Sequence, residues 1–203
     1  MHKDSSWVSG DTSFMDGVRR GYVLSEQSLQ DILDCVDEDV FIHRRAEAYS
    51  GRGETKEDVT ELYRGTTQRV SVHYNMFPEA KRELEEWVGD GTLVGQFDLI
   101  IYRKGSRFRR HIDNYNGLDI DPDKLRIHST STILYKSDDL VGGDLYLYDS
   151  KDAESGTKVD IDVGETVLFR PDRWHEVTEV TQGVRICLIS WLKNPLWAGR
   201  SFP

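Results

Sequence analysis

The pattern of apolar residues changes period at Thr92, and this most restricts what the chain can become. Before that point apolar residues recur at spacings of three and four. After it they alternate, or gather in short blocks rich in β-branched and aromatic residues. Candidate strands cover 92–103, 130–136, 144–149, 158–162, 166–170 and 184–192. Gly117, Asp121-Pro122, Gly142-Gly143, Ser155-Gly156, Gly164, Pro171 and Gly183 supply the turn signals between them. Many short strands behind helical segments predict an α+β, mainly β fold: an antiparallel double-sheet jelly roll with N-terminal helices packed on one sheet.

The helical segments are two. Leu29, Ile32, Leu33, Val36 and Val40 fall on one stripe, predicting a helix over 25–40 capped by Ser25 or Ser28. Pro78 suits a first turn, Ala80, Leu84, Trp87 and Val88 share a face, and Gly89-Asp90-Gly91 ends a second helix over 78–88. Residues 1 to about 20 are polar and Gly-rich, with Trp7 and Phe14 as anchors. Residues 41–67 read as a long loop and lid candidate, and 69–75 as a short strand. The expected organisation is one domain: helical and loop support over 1–91, a jelly-roll core over 92–193 and a tail over 194–203.

Composition narrows the function classes. The 26 basic and 36 acidic residues give a net charge of −10, which argues against nucleic acid or an anionic membrane as partner. The two cysteines, Cys35 and Cys187, lie in apolar patterns and read as reduced core residues. No apolar run approaches the ~20 residues of a membrane span, and the first residues lack the apolar segment of a signal peptide, so a cytoplasmic location is expected.

Chemistry concentrates in two places. His111 and Asp113 stand one residue apart; on extended backbone both leave the same face. His175 lies in Arg173-Trp174-His175-Glu176-Val177. Two imidazoles and one carboxylate on one side of a metal leave three positions open, the facial triad of non-haem Fe(II) oxygenases. The order of the strands places these three and Arg185 on neighbouring strands of one sheet. Arg185 shares a strand face with Cys187, Ile189 and Trp191. A guanidinium in such surroundings needs an anion, either a protein carboxylate or a bound dicarboxylate gripped by its planar fork.

These residues fall in a wider pattern. Tyr102, Gly105, Phe108, His111 and Asp113 read Tyr-x-x-Gly-x-x-aromatic-x-x-His-x-Asp. A strand ending Ile133-Leu134-Tyr135-Lys136 precedes Gly142-Gly143-Asp144. His175-Glu176-Val177, Gly183-Val184-Arg185 and Trp191 close the series. From about 92 to 193 the chain resembles the prolyl-4-hydroxylase type of 2-oxoglutarate- and Fe(II)-dependent dioxygenases. The resemblance implies that His111, Asp113 and His175 hold Fe(II), and that Arg185 binds the far carboxylate of 2-oxoglutarate with help from Tyr102 and Tyr135. It implies O2 as oxidant, release of succinate and CO2, and ascorbate as a reductant. It also implies hydroxylation of a C–H bond in a peptidyl, protein or small amino-acid-like substrate. Related halogenases have a small residue in place of Asp113, so hydroxylation is favoured here.

Arg109, Asn114 and Trp191 are the candidate substrate contacts, whereas Arg107 and Arg110 read as a solvated edge. Nucleic-acid demethylases of this type carry a second arginine where Trp191 stands, which argues against that activity. The competing reading is a cupin-like jelly roll that binds metal without catalysis. Asp119, Asp121 and Asp123 resemble a calcium loop, but Lys124 and Thr130 occupy positions that require Gly and Glu.

Overall fold

The strand-like blocks pair into two antiparallel sheets. The computed structural model describes residues 17–36, 66–113 and 126–193. In chain order the elements are β1 (Val18–Gly21), α1 (Glu26–Asp34), β2 (Gln68–Val72), α2 (Pro78–Val88), β3 (Leu93–Tyr102) and β4 (Phe108–His111). Then come β5 (Arg126–Lys136), β6 (Leu145–Tyr148), β7 (Thr157–Val159), β8 (Thr166–Phe169), β9 (Trp174–Val177) and β10 (Arg185–Lys193). The large sheet runs β1-β8-β5-β10-β3-β2 and the small sheet β4-β9-β6-β7. This is the expected double-stranded β-helix, with both helices on the outer face of the large sheet.

Alternation along the central strands creates two cores. On β3, Leu99 and Ile101 face the helices, where they meet Leu188 and Leu192 of β10, Ile32 of α1 and Leu84 of α2. The intervening Ile100 and Tyr102 face the small sheet, with Cys187, Ile133, Val167, Leu145 and Leu147. β10 contacts both β5 and β3 along its whole length. Arg185 therefore enters the space between the sheets, not the helical side.

Helix α2 begins and ends where its sequence signals stand, with Pro78 in the first turn and Gly89 at φ 75° as left-handed cap. Helix α1 is shorter than its apolar stripe predicts. Ser25 accepts from the Ser28 N–H as N-cap, but the helix stops at Asp34, with Cys35 as C-cap. Asp34 puts a negative charge in a last turn that has no basic residue, where it opposes the dipole. Cys35 is exposed as a result, contrary to its expected place in the core, while Cys187 is buried.

The polar Val18-Arg19-Arg20-Gly21 forms an unexpected edge strand on β8. Its cations are held from outside the strand: Arg20 by Glu165 at 2.7 Å and Arg19 over the Trp87 ring at 4.5 Å. Most of the proposed lid over 41–67 and the acidic turn at 119–123 lie outside the described residues.

Candidate metal centre

The small sheet builds the ligand set. In the β4–β9 pairing, His111 stands directly across from His175, and their ring centroids lie 4.2 Å apart. Two residues past His111, the Asp113 N–H donates to the Pro171 carbonyl at 2.8 Å, which turns the chain back toward β9. The Asp113 carboxylate then lies 3.9 Å from His111 Nε2 and 3.8 Å from His175 Nε2. One ligand atom from each residue falls within 4.8 Å of the others. The large sheet carries none of the three, which corrects the expectation that the triad and Arg185 share a sheet.

Backbone carbonyls two residues upstream fix both rings. His111 Nδ1 lies 2.7 Å from the Arg109 carbonyl and His175 Nδ1 2.8 Å from that of Arg173. A carbonyl only accepts, so each Nδ1 donates, and each ring is oriented with Nε2 toward Asp113, the atom left to serve as a metal ligand.

Asp113 is held from the large sheet. The Ser129 hydroxyl donates to its Oδ2 at 2.5 Å, and Arg126 donates to its backbone carbonyl at 3.1 Å while lying 3.5 Å from Oδ1. Burial pushes the Asp113 carboxyl up. His175, His111, Arg126 and the Ser129 hydrogen bond together outweigh burial and hold it below the usual carboxylate range. Two imidazole Nε2 atoms and one carboxylate on one side match the donor set that Fe(II) takes in a facial triad.

Across the gap, Arg185 is 2% exposed, and its Nη1 is buried with no hydrogen-bond partner. No ion pair joins it to a carboxylate among the described residues. Its guanidinium lies 5.2 Å from the centroid of the Tyr102 ring, its cross-strand neighbour on β3. It lines a cavity with Lys136, Ile133, Leu145 and the Gly142-Gly143 turn. A Cβ on Gly143, at φ 71°, would come within 2.9 Å of Val180 and 3.5 Å of the Arg185 side chain, so glycine lets backbone form that wall. The neighbouring Cys187 thiol is pushed up by burial, which outweighs the pull of Arg185, and it stays a thiol within the core.

Residues 97–193 match the 2OG-Fe(II) oxygenase superfamily. That segment belongs to this superfamily. A PKHD-type hydroxylase of Rhizorhabdus wittichii is 30% identical over 96 residues, 46% of this chain and 41% of the relative. A PKHD-type hydroxylase of Phenylobacterium zucineum is 31% identical over 96 residues, 46% of this chain and 40% of its own. The chain thus spans about two fifths of the length of the curated relatives it matches. Among solved structures, a Pseudomonas putida prolyl-4-hydroxylase aligns with a TM-score of 0.58 at 18% identity, covering 88% of this chain and 92% of that one. A prolyl hydroxylase from Trichoplax adhaerens, in complex with a peptide fragment of the hypoxia inducible factor oxygen degradation domain, aligns at 0.60 and 18%, covering 92% and 88%. These likenesses show that the chain shares its fold with both structures.

The remaining residues singled out from the sequence disperse around this candidate site. Tyr102 is 2% exposed and sits beside Arg185. Tyr135 is 45% exposed and does not line the Arg185 cavity. A bulge in β5 pairs Cys187 with Ile133 but Ile186 with Tyr135. Cross-strand partners share a face, so Tyr135 joins Ile186 on the outer face and Lys136 falls opposite Arg185.

Trp191 is 6% exposed, with the Arg126 guanidinium 3.7 Å and that of Arg69 5.1 Å from its ring centroid; its indole N–H is buried without an acceptor. The Arg109 side chain is exposed, and Asn114 lies outside the described residues. Arg107 and Arg110 are structural ties rather than a solvated edge. Arg107 pairs with Glu179 at 3.3 Å, and Arg110 stacks 3.4 Å from the Tyr148 ring and donates to the Lys151 and Ala153 carbonyls. Sequence reasoning missed Ser129 and Arg126; the one available signal was the strand parity of Ser129, and it does not show which residue the hydroxyl meets.

Proposed function

We propose that the chain is an Fe(II)- and 2-oxoglutarate-dependent dioxygenase that hydroxylates a C–H bond of a peptidyl, protein or small amino-acid-like substrate. The observation that carries this reading is the pairing of an oriented His-Asp-His donor set with a buried arginine that has no counter-ion among the described residues. A 2-oxo diacid answers both needs. Its keto acid end has donors to chelate beside at the metal, and its far carboxylate suits the Arg185 fork. Iron, with 2-oxoglutarate and O2 bound, supplies an oxidation strong enough to break a C–H bond, with succinate and CO2 released.

The protein's part is placement. His111, Asp113 and His175 hold one side of the metal, and Ser129 and Arg126 fix the carboxylate. Arg185 sets the depth and direction of the cosubstrate, with Tyr102 packed beside it. Substrate would enter past the exposed Arg109 and meet Trp191, whose buried indole N–H lacks an acceptor. The peptide ligand of the Trichoplax relative favours a peptidyl substrate.

The test is conversion of 2-oxoglutarate to succinate by the purified chain with Fe(II), O2 and ascorbate, together with metal analysis. The expected result is turnover that His111→Ala and Asp113→Ala abolish. Tight Zn(II) retention with no 2-oxoglutarate binding would instead identify a non-catalytic, cupin-like metal-binding module.

A further inference from the structure

Arg185 is not the only cation lining its cavity. The β5 bulge puts Lys136 directly across from it on the same face, and both side chains line the same space. Lys136 Nζ donates to the Ile161 carbonyl, a neutral partner. Two carboxylates, Asp144 and Asp160, also line the cavity, but both are engaged by Lys158, at 3.1 and 3.2 Å. Neither Lys136 nor Arg185 forms an ion pair among the described residues. Lys136, Arg185 and Lys158 are three cations against the two carboxylates, which leaves one net positive charge, and Arg185 has a buried N–H with no acceptor. A buried cation left without a counter-ion is costly, so the cavity suits an anion.

We propose that Lys136 is a second cosubstrate-binding residue, which takes one oxygen of the far carboxylate while Arg185 takes the other. This rests on the function proposed above and adds a specificity element to it. An ammonium has three donors, so Lys136 keeps Ile161 while adding the carboxylate. Two cations on one carboxylate select 2-oxo diacids over 2-oxo acids that lack the second acid group, because only the diacid neutralises that end.

The experiment is calorimetric titration of 2-oxoglutarate and of pyruvate into the Zn(II)-loaded full chain, for wild type, Lys136→Met, Lys136→Gln and Lys136→Arg. Thermal unfolding of each variant serves as a check on folding. The expected result is that Lys136→Met and Lys136→Gln weaken 2-oxoglutarate about tenfold or more. Pyruvate affinity stays unchanged within about twofold, and Lys136→Arg keeps most of the 2-oxoglutarate affinity. Unchanged 2-oxoglutarate affinity in the folded Met or Gln variant overturns the role of Lys136 and leaves the dioxygenase reading intact. Equal loss for both keto acids assigns Lys136 to packing and also overturns it. Failure of the wild-type chain to bind 2-oxoglutarate removes both readings.

Discussion

The two ends of the site are served in opposite ways. On the small sheet, each histidine Nδ1 has a backbone carbonyl within 2.8 Å, and Asp113 has a serine hydroxyl and an arginine beside it. Between the sheets, Arg185 is just as buried as His175, yet its Nη1 has nothing to bond. The first end is complete as a donor set before anything binds. The second is incomplete by itself, as a site for an anionic ligand would be. Buried polar groups in folded chains are nearly always satisfied, so an unpaired guanidinium nitrogen on the wall of a cavity suits an anionic ligand there.

Replacing Arg185 tests this contrast most severely. In Arg185→Met the unpaired buried charge is gone, and a flexible apolar chain of similar length fills the space. Affinity for 2-oxoglutarate should fall by about 100-fold or more, since a buried charge-assisted contact to the far carboxylate is lost. The ligand-free protein should become more stable by roughly 1 kcal/mol, because an uncompensated buried ion costs more than a well-packed hydrophobe and the stacking on Tyr102 returns only part of that cost. Calorimetry and thermal unfolding without cosubstrate check the two halves. A loss of stability would mean that Arg185 is satisfied by its surroundings, and the contrast between the two ends would then dissolve.

Removing a support at the satisfied end should act in the other direction and more weakly. Ser129→Ala deletes the hydroxyl at Asp113 Oδ2 and leaves the three ligands in place. Metal affinity should fall about tenfold, in the range found for partners of metal ligands, with little change in 2-oxoglutarate affinity once the metal is saturating. Competition with a chelator reads the first quantity. Equal metal affinity in the variant would show that Arg126 alone orients the carboxylate.

The same contrast explains what the sequence made legible. His111 and Asp113 could be paired because their relation is local, a spacing of two that extended backbone turns into one face, and their supporting carbonyls are local too. Helix α2 was legible because Pro78 and Gly89 mark its ends with their own backbone preferences. β1 was not, because Arg19 and Arg20 read as solvent residues until Trp87 and Glu165 are known to hold them. The assignment of the triad and Arg185 to a single sheet failed for a related reason. Strand order along the chain does not state which sheet each strand joins, and β4 and β9 pair apart from β10.

The Arg185 cavity shows this limit at one residue. Simple alternation along β5 from Ile133 puts Tyr135 on the inner face, where it would meet the cosubstrate. The bulge inserts one residue before Tyr135 and reverses every later side chain. The smallest effect expected is therefore none. Tyr135→Phe removes a hydroxyl from a side chain that is 45% exposed on the outer face, and 2-oxoglutarate affinity should stay within about twofold of wild type. The same titration that weakens in Lys136→Met should be indifferent to this change. If the two variants exchanged behaviour, the bulge would have to be absent in solution, and the inner face at that end would carry a phenol in place of an ammonium.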